Sequence, residues 1–232
     1  IKDYLKKAKK VVYGGSRENI GSQERAFARE VARLIAESDN IEKVYVGEDA
    51  ESTDIVFVEE MIKQGKGDKV VVVGFENTWR LVSKLGEAYL KSKGIQFESV
   101  PAERLFGLSK REKHREKGKY MVEQLTEAED VVIWMWTKDG ECDSRTFQHA
   151  KNLGKRWILF ESKKNKCQFS SLPREITQMS DSKISCLSKI KDYLKKAKKV
   201  VYGGSRENIG RKKNKFSDGG KANDLSPAIQ EL

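Results

Sequence analysis

Short runs of β-branched and other apolar residues recur along this chain between stretches of helical periodicity, and this alternation limits the possible fold most strongly. Two of the runs, VVVV at 70–73 and VVIWMW at 131–136, are apolar on both faces. Such runs are typical of central parallel strands that are covered by helices on both sides. Six strands are predicted, at 10–13, 43–46, 69–73, 96–100, 130–136 and 156–160.

Amphipathic patterns fill the intervals between these runs. Phe27, Val31, Leu34 and Ile35 predict a helix that begins after Ser22, a residue type favoured at N-caps. Further helices are predicted from the patterns at 58–62, 79–89, 108–126 and 147–153. Regular alternation of strand and helix predicts βαβ units and a doubly wound, mostly parallel α/β sheet. Ligands of such sheets bind beyond the carboxyl ends of the strands, so we expect the site in loops 14–21, 47–53, 74–78, 101–107 and 137–145.

The positive charge of the chain is concentrated at one end. The whole chain has 46 basic and 35 acidic residues, but the last 71 residues, 162–232, hold 17 of the basic and 7 of the acidic ones. Residues 1–161 are therefore nearly neutral and are predicted to form one domain. We predict that 162–232 is a basic tail, partly disordered, because its apolar residues are scattered.

Residues 190–210 repeat residues 1–21 without a mismatch. A structural repeat that had diverged would show substitutions and would recur through the chain. We interpret the second copy as a recent duplication or an assembly artefact. The alternative is that it replaces the first copy in the sheet, since two identical strands can compete for one position.

Several classes of protein are excluded or disfavoured by the sequence. No apolar run reaches the length of about 18 residues that a membrane span needs. The three cysteines are widely spaced and only two histidines exist, so no zinc site or disulfide framework is predicted, and no cofactor either. A cytoplasmic location follows as the default. Self-association into a homo-oligomer stays open, because sheets of this kind often dimerise.

The loop predicted at 14–21, after the first strand, carries a glycine pair that indicates phosphate binding. The first predicted strand runs into Gly14, Gly15, Ser16 and Arg17. The glycines let backbone approach a ligand, Ser16 offers a hydroxyl, and Arg17 can fork onto a phosphate. The alternative is a tight turn with a solvated arginine. The loop matches neither the Walker A nor the G-x-G-x-x-G pattern.

The second loop is rich in carboxylates and hydroxyls. It begins at Gly47 and reaches Asp54, which is either a helix-capping residue or a carboxylate that acts on a ribose. Ser52 or Thr53 is predicted to cap the helix.

The third loop with candidate residues is the one predicted at 137–145. It follows the VVIWMW run and leads into a helix. Trp136 either stacks a base or packs in the core, and Gly140 marks a turn. Ser144 and Thr146 bind phosphate or cap the helix. Cys142 is interpreted as an ordinary thiol, and the segment 110–119 with its histidine as an exposed helix face.

The order of these motifs resembles the SLOG superfamily. The resemblance rests on the strand followed by GGSR, on VGEDAESTD at 46–54, and on DVVIWMW with KDG, SRT and AKNLGK between 130 and 155. This Rossmann-like group includes cytokinin-activating phosphoribohydrolases, the DNA-processing protein DprA and small bacterial and phage proteins. The last set is the most similar, over about residues 9–161. The P-G-G-x-G-T-x-x-E signature of the phosphoribohydrolases is missing, so their activity is not implied.

The resemblance implies a site for a nucleotide or a nucleotide derivative. By match, Gly15, Ser16 and Arg17 would line the phosphate loop, and Gly47 and Asp54 the second loop. The third loop would contribute the following four residues: Trp136, Gly140, Ser144 and Thr146.

Three functions follow as hypotheses. The first is nucleotide binding, with a sensor role included. The second is an enzyme that hydrolyses or transfers at an N-glycosidic bond, for which Asp54, Asp139 and Asp143 are candidate carboxylates. The third is DprA-like binding of single-stranded DNA, with the phosphate contacts confined to the basic tail.

Overall fold

The computed structural model describes residues 1–16, 18, 20–75 and 80–170, except the side chain of Arg80. Its helices are α1 Lys2–Leu5, α2 Ser22–Ala36, α3 Thr53–Lys63, α4 Arg80–Leu85, α5 Glu87–Ser92, α6 Lys110–Glu123 and α7 Arg145–Asn152. Its strands are β1 Lys10–Gly15, β2 Lys43–Gly47, β3 Val70–Gly74, β4 Gln96–Ser99, β5 Val131–Trp136, β6 Arg156–Glu161 and β7 Lys166–Phe169. Arg17, the second copy at 190–210 and the rest of the tail beyond 170 lie outside the described residues.

The strands form one sheet in the order β4-β3-β2-β1-β5-β6-β7. β1 pairs in parallel with both β2 and β5, and among the described strands only the β6–β7 pair is antiparallel. The predicted doubly wound, mostly parallel α/β sheet is therefore confirmed. Its direction of winding switches between β1 and β5, which places the crevice for ligands at the carboxyl ends of these two strands.

Helices cover both faces of the sheet. On one face, α2 and α3 pack against the alternate residues Val11 and Tyr13 of β1 and against Ile133 of β5. On the other face, α6 and α7 pack against Val12 and Val132. The central strands are apolar on both sides for this reason.

The chain differs from the sequence expectations at three helix or strand boundaries. Gly21 rather than Ser22 is the N-cap of α2, and its N–H donates to Glu24 Oε2 over 2.8 Å. The helix predicted over 79–89 is interrupted, because Gly86 adopts a φ of 84° and leaves Tyr89 46% exposed. The sheet also continues beyond the predicted domain end at residue 161.

The additional strand β7 belongs to the sheet. The ring of Phe169 lies 5.2 Å from the ring of Tyr4, and the Tyr4 hydroxyl donates to the backbone carbonyl of Ser170. Cys167 is buried against the core. Residues 162–170 are thus an ordered extension of the first domain rather than part of a tail.

None of the helices among the described residues has the length and apolar character that a bilayer crossing requires.

Candidate functional site

The loops that follow β1 and β5 are joined by hydrogen bonds, at the point where the winding of the sheet changes direction. The Thr137 N–H donates to Ser16 Oγ over 3.3 Å, and the Thr137 hydroxyl donates to the carbonyl of Glu18 over 2.7 Å. Ser16 is 9% exposed and Thr137 is fully buried. The hydroxyl of Ser16 therefore already accepts one hydrogen bond within the protein.

Packing against β5 explains both glycines of the first loop. A Cβ added to Gly14 would lie 2.8 Å from the Trp134 ring, and one added to Gly15 would lie 2.8 Å from Cβ and O of Met135. Each glycine allows the neighbouring strand to approach closely. Their presence is accounted for by this strand contact before any ligand is considered.

The start of α2 carries its own negative charge. The carboxylate of Glu24 is buried and accepts the Gly21 N–H. A carboxylate at a helix N-terminus is stabilised by the helix dipole, and it repels a second anion at that position. The neighbouring Arg17, expected to bind phosphate, lies outside the described residues. The described part of this loop is thus less suited to an anion than its sequence indicates.

A buried group of charges occupies the carboxyl end of β2. Lys117 Nζ of α6 lies 3.4 Å from Glu48 Oε1, and both side chains are about nine-tenths buried or more. A Cβ on Gly47 would lie 2.6 Å from Asp54 Oδ2 and 3.9 Å from Lys117 Nζ. Gly47 therefore leaves room for the Asp54 carboxylate, and the Lys117 ammonium lies near the same glycine.

The start of α3 fixes the position of Asp54. Ser52 is the N-cap, as predicted, and its hydroxyl accepts the Asp54 N–H over 3.0 Å. Asp54 lies in the first turn and is 8% exposed. A carboxylate at this position interacts favourably with the dipole of α3.

The expectation that 110–119 is an exposed helix face is wrong for part of α6. Lys117 is 4% exposed, and its ammonium lies 5.4 Å from the centre of the Phe75 ring. The His114 ring also meets Phe75, edge to face at 5.3 Å. These contacts arise because α6 lies across the ends of β2 and β3, a tertiary arrangement that the charged sequence of the helix does not reveal.

A groove of about 980 Å³ lies beside the start of α7 and along α6. Its lining contains five basic and two acidic side chains, together with histidine, hydroxyl, thiol and amide groups. The described lining residues are Arg111, His114, Arg115, Lys119, Lys138, Glu141, Cys142, Asp143, Ser144, Arg145, Thr146, Gln148, His149 and Asn152. The groove is thus open to solvent at its rim and predominantly basic.

Two predicted residues of the third loop line this groove. Ser144 is the N-cap of α7, but its side chain makes no capping hydrogen bond. Thr146 is 8% exposed and packs directly against Gly118 of α6. Gly140, with a φ of 82°, forms the predicted turn before them and is exposed.

Trp136 belongs to the packing beneath the groove, and Cys142 contributes both to that packing and to the lining. Trp136 is 6% exposed and packs with Cys142, Phe147 and Leu159, which is the core alternative rather than base stacking. Burial raises the pKa of the Cys142 thiol to about 11. The thiol is therefore protonated near neutral pH and unsuited to nucleophilic attack.

Sequence reasoning missed the contribution of α6 to the groove. Arg111, Arg115 and Lys119 recur at intervals of four residues and so share one helix face. That spacing was the available signal, but it is also the spacing of an ordinary solvated face. Among the described residues, no three His, Cys, Asp or Glu side chains are grouped as a metal site.

Comparisons of the chain with protein-family models, with curated proteins and with solved structures find no match in any of the three.

Proposed function

We propose that this chain binds a nucleotide or nucleotide derivative at the carboxyl edge of its sheet, as a Rossmann-like protein of SLOG type. The groove beside α7 carries the proposal, since it combines two hydroxyls of the predicted site, Ser144 and Thr146, with five basic side chains. Its volume of about 980 Å³ is also of the size that small-molecule sites have.

The topology of the sheet supports the same location. β5 borders the switch in strand order, and the loop from β5 to α7 opens into the groove. Ligands of doubly wound sheets bind beside this switch. A sensor, whose output is binding rather than turnover, is the simplest form of the proposal.

Ligand binding to the full chain tests the proposal. A panel of nucleoside monophosphates, ADP-ribose, NAD and cyclic nucleotides is screened by thermal unfolding and then by calorimetry. A ligand at 100 times its Kd stabilises the fold by about 2.7 kcal/mol, which is several degrees. We expect one ligand to bind and Thr146→Val to weaken it, whereas the remote Lys7→Gln has no effect. Failure of every nucleotide would contradict the proposal.

A second candidate is an enzyme acting at an N-glycosidic bond, and the buried position of Asp54 beside Lys117 and Gly47 favours it. Against it, Asp54 is not among the described residues that line the groove. Asp54→Asn should abolish release of free base, measured by chromatography, and leave nucleotide binding in place. Glu51→Gln, an exposed change in the same loop, serves as the control.

Location and further partners complete the proposal. The buried thiol of Cys142 is compatible with the reducing cytoplasm that we propose. DprA-like binding of nucleic acid would use the basic tail, whose deletion should then remove a strongly salt-dependent affinity for DNA. Self-association is testable by light scattering.

A further inference from the structure

We infer that the groove between α6 and α7 binds the phosphate chain of a nucleoside di- or triphosphate, in preference to a monophosphate. The inference rests on the proposed function and specifies the ligand class of the same site.

One wall of the groove is a row of cations on α6. Arg111, Arg115 and Lys119 line it at successive turns. A rise of about 1.5 Å per residue separates neighbouring members of the row by about 6 Å along the helix axis. A single phosphate can meet one or two of them, whereas a chain of phosphates can run along all three.

The opposite wall adds further positive charge. Arg145 is the first residue of α7, and Lys138 lies in the loop before it. Among the described residues, Arg111, Arg115 and Arg145 form no ion pair within 4 Å, although the carboxylate of Glu112 attracts Arg115. Arginine is well suited to bind phosphate oxygens with two parallel hydrogen bonds.

The balance of charge in the groove favours more than one phosphate. Within the described lining, Glu141 and Asp143 oppose the five basic side chains, and Lys119 and Lys138 also pair with Glu116 and Glu18 outside it. The excess positive charge therefore rests mainly on the three arginines of the lining. A phosphate monoester carries a charge of about −1.5 to −2 near neutral pH. It would leave part of the positive charge of the groove uncompensated, whereas a di- or triphosphate brings more charge and more acceptor oxygens.

The start of α7 contributes to the same side of the groove. The Ser144 hydroxyl is not used for capping, and the first N–H groups of an α-helix have no partner within the helix. Gly118 has no side chain, which lets the first turn of α7 lie directly against α6. The row of cations and the helix terminus therefore face the same space.

Calorimetry on the full chain in magnesium-free buffer tests the inference. The probes are the mono-, di- and triphosphates of adenosine and guanosine, inorganic triphosphate and a short oligomer of thymidylate. We compare wild type with Arg115→Gln, Arg145→Gln and the control Lys7→Gln. Lys7 precedes β1 and so lies at the opposite edge of the sheet, and its replacement removes the same charge. Thermal unfolding verifies that each variant is folded.

The expected result has two parts. A triphosphate should bind at least about tenfold more tightly than its monophosphate, since each charged hydrogen bond is worth that factor or more. Each arginine variant should lose about tenfold in affinity for the triphosphate but little for the monophosphate, while Lys7→Gln should bind like wild type.

Other results overturn different parts of the inference. Equal affinity for mono- and triphosphates, or insensitivity to both arginine variants, would refute it and leave the proposed function standing. Equal affinity for inorganic triphosphate and nucleotide would refute the nucleoside part. Tighter, arginine-dependent binding of the oligomer would assign the groove to a nucleic acid. If no nucleotide binds at all, the proposed function fails as well.

Discussion

Gly118 of α6 faces Thr146 of α7 so closely that a Cβ on the glycine would lie 1.9 Å from Thr146 Oγ1. This contact sets the distance between the two walls of the groove. It also explains a glycine in the middle of a helix, where glycine costs about 0.5–1 kcal/mol relative to alanine.

Replacement of Gly118 by alanine should therefore destabilise the fold despite the better helix propensity of alanine. Overpacking of this kind costs about 1–3 kcal/mol in the free energy of unfolding, measured by denaturant titration. Thr146→Ala should restore part of the loss in the double variant, because it removes the two atoms of the threonine that lie beyond Cβ. An unchanged stability of Gly118→Ala would show that the helices can separate at little cost.

The buried pair of Lys117 and Glu48 predicts a second stability effect. Lys117→Met leaves a buried carboxylate without its ammonium neighbour, and breaking such a pair typically costs about 3–5 kcal/mol. Lys113→Met makes the same chemical change on the same helix at a half-exposed position and should stay within about 0.5 kcal/mol of wild type. Equal effects of the two variants in denaturant titration would argue against an energetic role of the pair.

Acid should weaken the attachment of β7 through Glu161. A hydrogen bond from Lys164 over 2.7 Å holds the pKa of this carboxyl below its ordinary value of 4.5. Burial acts in the opposite direction, and a hydrogen bond from Gln168 lowers the pKa further. The stabilisation is complete above pH 4.5 and is lost as the pH falls through the lowered pKa. Wild type should therefore lose more stability than Glu161→Gln between pH 5 and the acid limit of folding. Parallel curves of unfolding free energy against pH would refute this.

The Cys142 thiol should resist alkylation in the native protein. Its pKa of about 11 leaves little thiolate at pH 8, and it is 5% exposed. Iodoacetamide followed by peptide mass spectrometry should find this position largely unmodified at pH 8 and modified after denaturation. Rapid native labelling would show an accessible thiolate in the groove.

The two identical segments give a fifth prediction. The first copy supplies β1, and its Val11, Val12 and Tyr13 are fully buried at the centre of the sheet. Deletion of 190–210 should thus leave the midpoint of thermal unfolding unchanged, whereas deletion of 1–21 should abolish cooperative unfolding. Cooperative unfolding after the second deletion would instead support replacement of the first copy by the second.

The sequence was sufficient for the parallel part of the sheet. Buried parallel strands such as β3 and β5 are continuous apolar runs, so the fold class could be predicted and is confirmed. β7 could not be found this way, because KCQF is short and half polar. Its position depends on the turn before it, where Asn165 has a φ of 47°, and on contacts with Tyr4 that are distant in sequence.

The location of the candidate site could be predicted from the sequence, but the residues that line it could be predicted only in part. Ser144 and Thr146 follow a central strand, so the topology alone locates them at the carboxyl edge. Arg111 and Arg115 belong to a crossover helix, and whether its charged face meets solvent or a groove depends on how α6 packs on α7. Gly14 and Gly15 were expected to form a phosphate loop, but they are explained by contact with β5. Glycine serves both purposes, so the sequence alone could not distinguish them.

The central position of β1 has a consequence for synthesis of the chain. β1 is made first, yet one of its edges stays open until β5, more than a hundred residues later, has been translated. At typical rates of about 5–20 residues per second, this delay is on the order of ten seconds. During that time a strand edge of high β-propensity has to be protected from wrong pairing. The identical segment at 190–210 is translated after β5, so the first copy can pair with β5 before the second copy has left the ribosome. The order of translation therefore favours the first copy.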